Sequence, residues 1–307
     1  MKKSFIYVLG LFLTIIMALS ACGGNDNTEE NDANEDQNEV TETGDAAQDK
    51  GTISIGMNNW AENIAVSNMW KIILEDRGYD VELTAVEKAI LYEALSSGDI
   101  DIGMEIWLPS TDQPFYEKHK DTIDWRETWY EGTDLALVVP SYMEEVNSIE
   151  DLNTYKEDFD SQIVGIDPGS SIMALTEDVI SEYELDFELQ GSSEPTMIAE
   201  LQNRMDNEEP IVVTLWKPHW TFAEMDLKIL DDPKNIYGDS ENISYAARLG
   251  LEEDQPEIVE WFDNFMLNDQ QLGSLMAEIN KAESEEKGAQ KWVEENQELV
   301  EEWLNEN

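Results

Sequence analysis

Apolar and polar positions along residues 51–307 recur with two periods, and the switching between them outlines the fold. TISIGM (52–57) has the length and β-branched content of a strand and ends near a Trp. From Glu62 the apolar residues Ala65, Met69, Ile72 and Ile73 recur at helical spacing until Gly78. YDVELTAV then reads as strand, KAILYEALSSGD as helix and IDIGMEIW as strand. This alternation at βαβ lengths predicts an α/β fold with a mainly parallel sheet. A second set begins after DLALVVP (134–140) and comprises the strand QIVGID, a helix from Ser170 and a helix around MIAELQNRM. It closes with the strand IVVTLW and a helix after Pro218. These are two similar α/β units without a sequence repeat. From about Glu257 the chain reads as helix in three stretches, IVEWFDNFM, LGSLMAEINKA and WVEENQELVEEWL. DLALVVP and SYAARLG (244–250) are the expected crossings. Lobe 1 is then 51–137 plus 246–307 and lobe 2 is 138–245. A chain that leaves one lobe, builds a second and returns makes a hinge with a cleft.

Composition narrows the function classes. Sixty-nine Asp and Glu oppose 18 Lys and Arg, a net charge of -51. A nucleic-acid surface needs a basic footprint, so that partner is excluded. Two histidines and one cysteine leave little material for a transition-metal site or His-based catalysis, and no disulfide within the chain. The one cysteine has a specific place. Lys2 and Lys3 start the chain, Phe5 to Ala18 form an apolar run too short for a confident membrane span, and Leu19-Ser20-Ala21-Cys22 follows. This looks like the lipobox of bacterial lipoproteins, with residues 1–21 as signal peptide and Cys22 as the lipidated new N-terminus. The alternative is an ordinary signal peptide with an incidental cysteine. Residues 23–50 hold ten acids, one base and no aromatic, which predicts a disordered tether to the membrane. The acidic excess continues through the folded part, as a solvated surface or as adaptation to a salty environment that screens self-repulsion.

The candidate chemistry lies with three tryptophans. Trp60 follows GMNN, Trp107 follows GMEI and Trp216 follows VVTL, each where a strand ends. Open α/β sheets bind ligands beyond the carboxyl ends of their strands, so the three are expected to converge in the cleft. Indole faces suit a quaternary ammonium, which donates no hydrogen bond but is attracted to the ring quadrupole. The remaining Trps read differently: Trp70 in a helix, Trp261, Trp292 and Trp303 in the C-terminal helices, and Trp125 and Trp129 in a connecting loop. GIDPGSSIM (165–173) follows a strand and opens a helix, a place where backbone N–H groups favour an anion. It is not a P-loop, since no GKS or GKT follows, and nothing else suggests a cofactor. Trp platforms beside carboxylates also occur in glycoside hydrolases, for which Glu62 and Glu105 would be the acid pair.

Together NNWAENIA, EIWLPSTD, VGIDPGSSIM and LWKPHW resemble the substrate-binding lipoproteins of ABC importers for glycine betaine and related osmoprotectants, over residues 52–250. The resemblance implies a two-lobed class II periplasmic-binding-protein fold, a binding protein rather than an enzyme, and no cofactor or metal. It also implies lipid anchoring on the extracytoplasmic face and, as partners, an ABC permease with a separate ATPase. A receptor that reports the ligand to a sensor would carry the same site. The ligand's trimethylammonium would sit among Trp60, Trp107 and Trp216, and its carboxylate would meet the backbone amides of Gly165 and Ile166. The family binds that carboxylate also with a His in WLP-x-T-H, where this chain has Asp112. An ionised Asp is acceptor-only and cannot replace that donor. Asp112 then turns away, shares a proton with the ligand, or accepts a hydrogen bond from a hydroxyl, as in a choline- or carnitine-selective member. His219, in KPHW, is expected to make a structural hydrogen bond.

Overall fold

The computed structural model describes residues 50–305. The expected signal segment (1–21), Cys22 and the expected acidic tether up to residue 49 lie outside the described residues. The chain opens with β1 (Thr52–Met57), α1 (Ala61–Glu75), β2 (Asp80–Ala85), α2 (Lys88–Ser97), β3 (Ile102–Leu108) and α3 (Gln113–His119). A long strand, β4 (Ile123–Pro140), leads through a short 3-10 helix (Ile149–Thr154) into β5 (Gln162–Val164), α4 (Ser171–Glu182), β6 (Glu188–Gln190) and α5 (Glu194–Asp206). Then come β7 (Val213–Lys217), α6 (Thr221–Glu224), β8 (Leu227–Ile229) and β9 (Glu241–Arg248). The chain ends in α7 (Leu251–Asp254), α8 (Pro256–Asn264), α9 (Asp269–Lys281), α10 (Glu285–Glu295) and α11 (Gln297–Trp303).

The strands run in the order β2-β1-β3-β9-β4-β7-β5-β6, with β8 beside β4. The expected parallel sheet is found only at the two flanks. There β1 pairs with β2 and β3, and β5 pairs with β6 and β7, all in parallel. The centre is antiparallel, because β9 returns between β3 and β4 and β4 runs against β7 and β8. β4 is the element that sequence reading splits. Trp125 and Trp129 belong to this strand, not to a connecting loop. Its register against β9 slips three times between Trp125 and Thr133, and each slip breaks the period-two alternation that marks a strand. Up to Thr133 β4 pairs with β9, and from Asp134 with β7, so its partner changes a few residues before the expected lobe boundary. The whole of β9, from Glu241, pairs on the first side.

Apolar faces fix the rest. α1 buries Trp70 face to face with Phe262 of α8, ring centroids 3.9 Å apart, and Trp303 of α11 lies 6.2 Å from the same ring. The C-terminal helices therefore pack on the first half, and Trp70, Trp261, Trp292 and Trp303 are core. The last helical stretch breaks in two at Asn296, and the helix after Pro218 is a single turn. Among the described residues no helix is long and apolar enough to cross a membrane.

Candidate functional site

A cleft of about 320 Å³ opens where β1, β3, β5 and β7 end, and Trp60, Trp107 and Trp216 all line it. Each ring is carried by a strand terminus. Trp60 is the extended residue before α1, while Trp107 and Trp216 are the penultimate residues of β3 and β7. Each of the latter two is followed, two positions on, by a cis proline, Pro109 or Pro218. Trp60 and Trp216 meet edge to face, centroids 6.4 Å apart at 62°. The Trp60 indole N–H reaches the Asp167 carboxylate at 3.4 Å, and the Trp107 indole N–H donates to Glu105. Trp216 Nε1 makes no well-formed hydrogen bond but stands near the Glu62 carboxyl.

Trp60 has no side-chain oxygen to cap the helix it precedes, so the first N–H of α1 finds its acceptor elsewhere. Glu194 of α5 accepts from Ala61 N at 2.9 Å and contacts His219 Nε2 at 3.1 Å with its other oxygen. His219 Nδ1 accepts from the Thr221 N–H at 3.2 Å, which leaves Nε2 to donate to Glu194. The expected structural hydrogen bond of His219 thus ties β7 to the helix that presents Trp60. The His219 ring also stands 5.0 Å from Trp216, nearly perpendicular to it.

The other residues expected at the site divide. Ile166 lines the cleft, but Gly165 does not. Gly165 donates its N–H to the Gln190 carbonyl at 2.8 Å. A Cβ there would come within 2.2 Å of Met173 Sδ, so glycine is needed for close approach of α4. Asp112 is fully buried behind the cleft wall. It pairs with Lys88 at 2.7 Å and accepts from Tyr92 Oη at 2.9 Å and the Trp107 backbone N–H at 2.8 Å. Its remaining oxygen accepts from Ser171 Oγ, at the start of α4, at 3.1 Å.

Sequence reading missed Lys88 as a lining residue, while Ser170 and Ser171, which also line the cleft, belong to the GIDPGSSIM turn it singled out. The Lys88 ammonium donates to the Glu105 carbonyl at 2.6 Å and lies 5.2 Å from the Trp60 ring centroid. Glu62 and Glu105, nominated as a hydrolytic pair, do line the cleft, each fully buried. Burial pushes the Glu62 carboxyl well above its ordinary range, helped by the nearby Glu105 and Glu194 charges. Glu105 is raised to about 7, chiefly by burial, with the Lys88 ammonium opposing. Among the described residues no group of three or more His, Cys, Asp and Glu side chains could hold a metal ion.

Comparisons with known proteins agree on one family. The description "Substrate binding domain of ABC-type glycine betaine transport system" matches residues 51–295. A curated relative, a glycine betaine/carnitine transport binding protein of Listeria monocytogenes, is 43% identical over 152 residues. That alignment spans about half of each protein, 48% of this chain and 51% of the relative. Among solved structures, lactococcal OpuAC in its closed form with glycine betaine superposes with a TM-score of 0.78 at 32% identity, covering 83% of this chain and 99% of that one. The glycine/betaine/L-proline-binding protein of Borrelia burgdorferi gives a TM-score of 0.78 at 37% identity, over 82% and 96% of the two chains.

Proposed function

Because the chain belongs to the family of substrate-binding domains of ABC-type glycine betaine transport systems, we propose that its cleft captures glycine betaine or a related quaternary ammonium compound. Closure of the two lobes of this α/β fold would then present the ligand to a membrane permease driven by a separate ATPase. The observation that carries this reading is the convergence of three buried indoles, from three strand ends, on one cleft. Ring faces attract a methylated ammonium that can donate no hydrogen bond, and desolvation strengthens that attraction. Family membership also removes the hydrolase reading of Glu62 and Glu105, since these are binding domains of transporters.

The carboxylate end of such a ligand would lie at Ile166 and the first turn of α4. No acid occupies that turn, and its backbone N–H groups and dipole favour an anion. Gly165 would support this place from behind, by letting Met173 close over it. Asp112 would not touch the ligand; it would hold Ser171 and Lys88 in position. Of its three expected outcomes, the geometry favours turning away. A choline- or carnitine-selective site is the second reading, supported by the surplus of buried carboxylate over ammonium around the cleft. The lobes would comprise 51–133 with 241–307, and 134–240, a few residues ahead of the expected boundaries at 137 and 246, with the hinge in β4 and the segment before β9. Cys22 would carry the lipid anchor, and 23–50 the tether that holds the binding domain at the extracytoplasmic face.

Titration calorimetry of the purified protein with glycine betaine, proline betaine, carnitine and choline, at low and high salt, tests the reading. At least one should bind saturably, and intrinsic Trp fluorescence should change with it and not with glycine. Equal fluorescence responses to glycine and to the methylated ligands would overturn the cage.

A further inference from the structure

Four ionisable side chains cluster at the cleft, and only two of them account for each other. Lys88 and Asp112 form a buried pair at 2.7 Å, and Lys88 spends a second hydrogen on the Glu105 carbonyl. What remains is Glu62, fully buried with only the Trp216 indole and the Glu105 carboxyl as loose neighbours of its oxygens, and Glu105, fully buried with Oε2 in no other well-formed hydrogen bond. The elements around them supply no second cation. β7 offers the neutral Trp216 indole and β3 that of Trp107. α5 offers Glu194, an acid itself bound to His219, and α2 offers Lys88, already paired with Asp112. Such carboxyls are costly to bury unless a charge is supplied to them from outside.

We propose that Glu62, backed by Glu105, is the counter-charge of the ligand's ammonium, and that entry of the cation expels to solvent a proton the two carboxyls share in the ligand-free cleft. This rests on the quaternary ammonium reading above and adds to it the residues that read the charge. No bond to the ligand forms. The proton leaves as a hydrated ion, and the carboxylate left behind faces the methyl groups across the low-dielectric cage. The raised position of both carboxyls agrees with a pair that holds one proton near neutrality. The sign follows. A cation favours the deprotonated pair, so binding tightens as pH rises, by up to about tenfold per pH unit while the pair still holds its proton, and then levels off. Buried ion partners of this kind contribute to specificity through the charge they leave uncompensated in the wrong complex. A neutral isostere of the ligand, lacking the positive charge, would leave the proton in place.

Calorimetry of the full chain with choline, glycine betaine and tetramethylammonium decides the matter. Each titration is run in buffers of different ionisation enthalpy, at about pH 6 and about pH 8, either side of the Glu105 value of about 7. The expected result is net proton release at the lower pH, little at the higher, and tighter binding at the higher. Glu62→Gln should abolish the release, flatten the pH dependence and weaken tetramethylammonium by tenfold or more. Binding in wild type with no buffer-dependent heat at either pH overturns the proposal and leaves the ligand reading standing. Failure of all three ligands to bind wild type overturns both. The wild-type measurement stands even where Glu62→Gln fails to fold, and Glu105→Gln, which should at least halve the release, gives a second test.

Discussion

The two sides of the cleft are built from different chemistry. The side formed by α1, α2 and β3 supplies Trp60 and Trp107 together with the cleft-lining ionisable groups Glu62, Lys88 and Glu105, and with Asp112 buried behind them. The opposite side supplies Trp216 with Ile166, Ser170, Ser171 and Ile172, none of which can ionise. One side lines the cleft with ionisable groups and two indoles, and the other with one indole, apolar side chains and the start of α4. The hydrogen bonds between the sides, Ser171 Oγ to Asp112, the Trp60 indole N–H to Asp167 and Ala61 N–H to Glu194, each end on a carboxylate, whereas the Lys88–Asp112 pair lies within one side.

Ways to break that asymmetry rank by size. Lys88→Met should leave Asp112 buried without its counter-ion and cost about 3–5 kcal/mol of stability in chemical denaturation. A loss well under that would mean the charged side is wetter and looser than its geometry. Trp216→Ala removes the ring of the neutral side and should weaken a quaternary ammonium ligand by about 2 kcal/mol, about thirtyfold in Kd by calorimetry. Trp60→Ala and Trp107→Ala should do the same, whereas Trp261→Ala, in the packed C-terminal helices, should lower the melting temperature and leave Kd unchanged. Normal binding by two of the three cage variants removes the cage. The next effect is on stability against pH. Glu62 and Glu105 keep protons in the folded state that the unfolded chain gives up in the ordinary carboxylate range. The contribution of Glu105 is thus full below that range and is lost as pH rises through about 7, and that of Glu62 is lost in the same direction. Denaturation midpoints of ligand-free wild type should fall from about pH 5 to about pH 8 more steeply than those of Glu62→Gln. Parallel profiles would show that the carboxyls titrate normally. Smallest is Ser171→Ala, which removes one hydrogen bond across the cleft and should shift Kd by about 1 kcal/mol at most, with no change in pH dependence.

How much of this was legible in the sequence follows the range of each interaction. β1 was readable to its ends, because TISIGM is short, β-branched and bounded by polar residues. So were α1 and α2, whose apolar stripes are local facts. The three Trps were readable as a set because each repeats one context, a strand terminus. β4 was not, since its bulges scramble the alternation that identifies a strand. Nor was Lys88. A lysine in a helix reads as solvated surface, and its burial depends on Asp112, 24 positions on, and on a carbonyl of β3. Asp112 taken alone left three outcomes open, turning away from the ligand among them, because its surroundings, Lys88, Tyr92 and the Trp107 amide, are assembled only by the fold. The antiparallel centre was hidden for the same reason. β9 pairs with strands more than a hundred residues earlier, and nothing local announces that.

That late return of β9 has a consequence for how the molecule comes into being. The strands of the second sheet half, from Asp134 to Ile229, are contiguous in the chain and can pair as soon as they are made. The first half cannot. β3 and the start of β4 share a neighbour, β9, that is synthesised only after the entire second half. Until Glu241 and its successors appear, both present unpaired backbone edges with apolar faces, the template on which chains stick to one another. Completing the first half closes a loop around the second, a non-local step that is slow by its topology. The chain can thus complete its middle before its beginning, and the facing edges of β3 and β4 wait for β9.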